Sequence, residues 1–207
     1  MVLSLLLQEG KTGFPDNFFH FTFSNQVFEH VRDIRVVAGE ISRITAKGGC
    51  GFHDYPAHRY ITEGHLLMPF LHWLPKNRLR KFLIAVYVLI GKEPFWDQFK
   101  NFSRSQKVEA YYQYSLEKTF YRKYTDMKKV FEDHGFDINF VIINHPRIQQ
   151  HKYLGQFLRY KFLKRLLNYA LLMFKTQELF IKKKWDCFKK SGKVYESSQL
   201  LSNMRFY

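Results

Sequence analysis

The order of one stretch constrains this chain most. Between Gly13 and Pro56 a turn, an aromatic run, an amphipathic run and a second apolar run follow one another without a break. Gly13-Phe-Pro-Asp-Asn17 is a turn by composition, because proline fixes φ and Asp and Asn tolerate turn geometry. Phe18-Phe-His-Phe-Thr-Phe23 then predicts a short aromatic strand. Asp33 is placed to cap a helix carrying Ile34, Val37, Ala38, Ile41 and Ile44, whose three- and four-residue steps make one apolar stripe. Gly48-Gly49 is expected to end that helix with a left-handed cap. Cys50-Gly-Phe-His-Asp-Tyr55 predicts a second strand closed by Pro56. Strand, helix, strand in this order is a parallel crossover unit, so the fold class is α/β.

The remainder extends that unit. Residues 57 to 120 mix His, Pro and Trp with helical stretches near Asn77 to Ile90 and Ser105 to Leu116, and are expected to form a helical insertion or lid on the substrate side. Thr125 is expected to cap a helix carrying Met127, Val130 and Phe131 that stops at Gly135, with Ile138 to Ile143 as the strand after it. Tyr153 to Phe174 is helical by period, Gln177 to Ile181 predicts a last strand, and residues 185 to 207 form a basic tail. The apolar opening Met1 to Gly10 is too short for a signal peptide and is expected to be a buried strand.

With 33 Lys+Arg against 18 Asp+Glu the chain carries +15, which favours anionic partners and excludes none of them by itself. Cys50 and Cys187 are too few and too far apart for a disulfide framework or a structural zinc site, which fits a reducing compartment. The longest apolar runs, residues 82 to 90 and 166 to 174, fall well short of the roughly 20 residues that cross a bilayer.

Phe19-His-Phe-Thr-Phe-Ser-Asn-Gln-Val-Phe-Glu-His-Val31, followed by Gly39-Glu-Ile-Ser-Arg-Ile-Thr-Ala-Lys-Gly-Gly49, resembles the fourth strand, following helix and fifth strand of class I S-adenosylmethionine-dependent methyltransferases of the type 11 kind. Phe14 to Phe19 is similar to the turn before that strand. Tyr124 to Phe136 looks like the family's last helix, and Ile138 to Ile143 with Gln177 to Ile181 looks like its closing antiparallel hairpin. Two positions depart from the pattern: His20 stands where an Asp is usual, and Lys47 where a Pro is usual. No GxGxG loop occurs, nor the acidic residue that would follow it to hold the ribose hydroxyls. The resemblance therefore implies the C-terminal part of such an enzyme, a single partial domain over residues 1 to 207. Its Rossmann-like sheet would run from the third strand onward, with helices on its faces.

What the resemblance implies for chemistry follows from the open sheet, whose ligands sit beyond the carboxyl ends of the strands. Ser24, Asn25 and Gln26 follow the first tip and would lie along the methionine part of S-adenosylmethionine. Glu29 and His30 begin the next element, and His30 is the candidate general base, imidazole being the side chain that titrates near neutrality. His53, Tyr55, His72 and Trp73, with Glu29, are the candidate substrate contacts, the Trp as an aromatic wall. In some relatives a metal-binding carboxylate stands three residues before the Glu-His pair. Here that position is Gln26, a poorer ligand, and the His/Asp spacings match no ligand template, so no metal site is expected. The expected activity is methyl transfer to an O or N acceptor on a small molecule or a glycan or lipid precursor, incomplete in this chain. The alternatives are a non-catalytic remnant or partner subunit, and a basic peripheral membrane or RNA-binding protein. Lys152 to Lys193, rich in Lys and Arg against only Glu178 and Asp186, is the segment for membrane contact. Direct nucleic-acid recognition has no motif behind it. A cytoplasmic location, with peripheral contact at the inner face of a membrane, is the corresponding expectation.

Overall fold

The computed structural model describes residues 10–140, 160–174 and 177–184, with residues 171 and 172 described by backbone only. The expected strand at Met1 to Gly10, the end of the strand at Ile138 to Ile143, the start of the helix at Tyr153 and the basic tail lie outside these residues, wholly or nearly so. Strand β1 (Phe19–Asn25) leads through a short 3-10 turn, Phe28–His30, to helix α1 (Ile34–Ile44) and strand β2 (Thr45–Tyr55). Helices α2 (Arg78–Leu89) and α3 (Arg104–Glu117) follow, then α4 (Tyr124–Asp133), β3 (Phe136–Phe140), α5 (Lys161–Phe174) and β4 (Gln177–Lys183).

The sheet order is β1-β2-β4-β3. β1 and β2 are parallel, from Phe21 opposite Cys50 to Asn25 opposite Asp54, as the crossover reading requires. β4 runs antiparallel to both β2 and β3, which is the expected closing hairpin. Helices α1 and α4 cover one face. Ile34, Val37, Ala38 and Ile41 meet Met127, Val130 and Phe131 there, over Phe28, Tyr55, Leu179 and Ile181. Alternation sends Phe21 and Phe23 to the other face, where they are exposed and Phe23 stacks on Phe52 at 6.2 Å.

Asp33 caps α1 as expected, its side chain accepting from the Arg35 amide. Two other expectations are corrected. Gly48-Gly49 does not end the helix: α1 stops at Ile44 and the glycines lie within β2. Between the Phe19–Thr45 and Phe21–Cys50 pairs β1 advances two residues and β2 five, so the glycines serve a bulge. Gly48 takes φ +74°, and a Cβ on Gly49 would stand 2.9 Å from the Ala46 carbonyl oxygen and 3.0 Å from that of His20. Thr125 does not cap α4. The cap position is Lys123, and Thr125 lies inside the first turn with its hydroxyl on Asp126.

Residues 57 to 120 carry a core of their own, in which Leu66, Met68 and Leu71 pack with Ile84, Val88 and Tyr111 between α2 and α3. Asn77 and Ser103 cap these two helices, Ser103 in a reciprocal capping box with Gln106. Helix α5 keeps much of its apolar surface outward: Phe162 is 74% exposed, Leu166 56% and Tyr169 53%. Among the described residues no helix is long and apolar enough to cross a membrane.

Candidate functional site

Because β1 and β2 are parallel, Asn25 and Tyr55 end on the same edge of the sheet. The chain turns sharply after Asn25. Gln26 adopts φ +52°, its amide donates to the Asp54 carbonyl at 2.8 Å, and its side-chain amide donates to Asp54 Oδ2 at 3.1 Å. Asp54 Oδ1 is buried and has no donor, and burial raises the carboxyl above its ordinary value against the pull of Gln26. Ser24 Oγ shares a 2.7 Å hydrogen bond with His53 Nδ1. Asn25 is exposed at the tip.

The 3-10 turn puts Glu29 and His30 directly behind that tip. Glu29 is 2% exposed and neither carboxylate oxygen has a hydrogen-bond partner, and burial pushes its pKa up. His30 Nδ1 lies 2.7 Å from the Lys118 carbonyl; a carbonyl can only accept, so Nδ1 carries the hydrogen and Nε2 keeps its lone pair. That nitrogen stands 3.9 Å from Glu29 Oε1. His65, from the loop before α2, packs edge-on to His30 with ring centres 4.6 Å apart. Glu63 shapes that loop: its carboxylate accepts the His65 and Leu66 amides and, at 2.7 Å, the Tyr121 hydroxyl.

The expected substrate residues divide into three places. Glu29 joins His30 at the tip. His53 and Tyr55 point into the core, 1% and 2% exposed. His53 stacks on Phe28, its pKa lowered to about 3 by burial, and the buried Tyr55 hydroxyl is pushed well above its ordinary value. His72 and Trp73 line a separate cavity of about 530 Å³ with Lys76, Arg80, Phe120 and Arg122. Burial first, then His58 and Arg80, lowers His72 to about 4; burial and the guanidinium groups of Arg80, Arg122 and Arg32 lower Lys76 to about 8. Trp73 is 40% exposed and donates from Nε1 to the Tyr60 carbonyl.

Arg122 carries no sequence signal and holds the site together. Its guanidinium donates to the carbonyls of Phe28 and Phe120 at 2.9 Å, Val31 at 2.5 Å and Arg32 at 2.9 Å, gripping both ends of the 3-10 turn. Beside it the Phe120 amide donates to the Glu29 carbonyl at 2.6 Å. His65 was legible only as one histidine among several; the fold sets it against a partner 35 positions earlier.

The methyltransferase domain family matches residues 5–52, a span that covers β1, the turn, α1 and most of β2. Over that span, 48 of the 207 residues, the sequence is similar to a methyltransferase domain. A search of the curated proteins found no match. Similar solved structures include the phosphoethanolamine N-methyltransferase 2 of Haemonchus contortus in complex with S-adenosyl-L-methionine, at 14% identity and a TM-score of 0.37. That alignment covers 84% of this chain and 35% of that one. An S-adenosylmethionine-dependent methyltransferase from Mesorhizobium loti gives 12% identity and a TM-score of 0.43, covering 84% and 66%. The domain as found here thus spans about a third of the length of the Haemonchus enzyme. The residues present suit one portion of the cofactor: the buried, donor-less Asp54 Oδ1 is the acceptor an ammonium group would satisfy, and the exposed Asn25 amide stands next to it along the sheet edge.

Proposed function

We propose that this chain serves methyl transfer from S-adenosylmethionine to an O or N acceptor, on a small molecule or a glycan or lipid precursor, with acceptor and cofactor meeting at the β1 and β2 tips. The carrying observation is the grouping of Glu29, His30 and His65 just after β1, with the Asp54 carboxylate at the end of β2 near enough for its charge to act on Glu29. S-adenosylmethionine, when bound, supplies an electrophilic methyl group. Asn25, with Ser24 and Gln26 beside it, would hold the methionine portion, and Asp54 Oδ1 would accept from its amino group. His30 Nε2 receives the acceptor's proton, and the Glu29 carboxylate stabilises the imidazolium that results. Arg122 is a positioning residue that fixes the turn on which both stand. The unit over residues 57 to 120, with His72 and Trp73 in its cavity, acts as the acceptor side and lid.

Calorimetric titration with S-adenosylmethionine tests this assignment. Without a Gly-rich loop the affinity expected of these residues is in the millimolar range, about −4 kcal/mol, and Asp54→Ala weakens it at least about tenfold. Binding unchanged by that substitution, or none at all, overturns the placement of the cofactor at this tip.

A second reading, contact with an anionic membrane surface, is favoured by α5. Lys161, Lys164 and Arg165 are exposed there on the same helix as Phe162 and Leu166.

A further inference from the structure

A carboxylate as deeply buried as that of Glu29, with neither oxygen hydrogen-bonded, costs several kcal/mol unless a cation faces it. Among the described residues no lysine or arginine forms an ion pair with Glu29; its nearby basic group is His30 Nε2, at 3.9 Å. Glu29, His30 and His65 each offer one ligand atom, and these atoms lie within 4.8 Å of one another. We propose that the three residues bind one divalent transition-metal ion of the zinc class.

The supporting groups prepare each ligand. Lys118 O takes the Nδ1 hydrogen of His30 and leaves Nε2 as the only donor lone pair of that ring, which is how metal-binding imidazoles are commonly oriented. His65 packs edge-on against His30 with ring centres 4.6 Å apart, which sets its ligand atom beside those of Glu29 and His30. Glu63 itself is spent on the His65 and Leu66 amides and the Tyr121 hydroxyl, so it fixes the loop rather than joining the ligand set. Two imidazoles and one carboxylate form the three-ligand set of catalytic zinc sites, which keep a fourth position for water or substrate. Magnesium and calcium prefer all-oxygen surroundings and suit this set poorly. Ligands around a tetrahedral zinc ion sit about 3.4 Å apart, so shifts of about an ångström close the cluster on it.

The site does not depend on the methyl-transfer reading, since metal binding is read without S-adenosylmethionine. With the ion bound, His30 Nε2 is a ligand and no longer a base, so the two roles exclude each other at any instant.

Chain freed of metal by chelator is titrated with zinc chloride and, separately, with magnesium chloride, following heat and Tm. One equivalent of zinc is expected to bind and raise Tm, while magnesium does neither. Glu29→Gln and His65→Ala should each weaken zinc binding about a hundredfold or more, with exposed His20→Ala unchanged. Glu29→Gln removes a buried unpaired charge, so its metal-free Tm is expected not to fall while the zinc-induced rise disappears, a combination that misfolding cannot produce. Zinc binding equal in Glu29→Gln and the parent chain, or no zinc taken up by the folded parent, overturns the proposal.

Discussion

Arg122 illustrates what sequence reading misses at the scale of single residues. Its four partners are main-chain carbonyls, and a carbonyl leaves no mark on the sequence. The planar fork matters more than the charge, so Arg122→Lys should recover less than half of what Arg122→Met loses. We expect Arg122→Met to cost about 3 kcal/mol in urea unfolding, on the scale of charged-group hydrogen bonds left unmade. Glu40 is a second such residue: Arg43 Nε and Nη2 hold its two oxygens at 2.8 and 2.7 Å, and the Thr12 amide and hydroxyl both donate to Oε1 at 2.6 Å. The Arg43 guanidinium comes first among the causes that bring Glu40 from 4.5 down to about 2. Because the folded value is depressed, the stabilisation is present above pH 4.5 and is lost as pH falls toward 2. Unfolding measured across that window should lose on the order of 2 to 3 kcal/mol, and Glu40→Gln should flatten the acid limb. An unchanged acid limb in that variant would show that other carboxylates set it. His30 and Glu29 were legible as a pair because they are adjacent; their relation to His65 and Lys118 exists only in the fold.

Elements were more legible than residues, and the failures have a common cause. Apolar spacing located α1 and α4, less regular helical stretches were expected where α2 and α3 lie, and Asp33 marked the start of α1. Residue type pointed to Thr125 as the cap of α4, but the helix begins earlier, after Lys123, whose backbone is extended and whose side chain makes no cap hydrogen bond. Gly48-Gly49 misled because left-handed freedom serves a helix cap and a strand bulge equally well. The pairing of β1 with β2 decides it, since the three extra residues of β2 must be absorbed somewhere and the glycines absorb them. Gly49→Ala should therefore act as a sheet mutation. Its methyl would meet the Ala46 and His20 carbonyls, and we expect a loss of about 1 to 3 kcal/mol with near-normal helix content by circular dichroism. A loss of helical signal out of proportion to stability would favour the helix-cap reading instead.

For the whole molecule, the parallel pair could be read from order and the antiparallel closing strands from the family resemblance, while the division into two cores could not. One core lies between the sheet and α1 with α4; the other lies within residues 57 to 120. Charge asymmetry belongs to this scale as well. If α5 meets an anionic surface, the chain should float with phosphatidylserine vesicles in low salt and lose that association above roughly physiological ionic strength. Neutralising Lys161, Lys164 and Arg165 should abolish it, and flotation indifferent to all three would remove the membrane reading. The two cores meet where the chain leaves α3, with Lys118, Phe120 and Arg122 each bonded to the 3-10 turn that carries Glu29 and His30. These stitches gear one body to the other: the helical unit cannot swing outward without pulling on the Glu29 carbonyl and the His30 ring together. On the proposed methyl-transfer reading, admission of an acceptor and alignment of the groups acting on it would be a single mechanical event, transmitted through the five residues from Lys118 to Arg122.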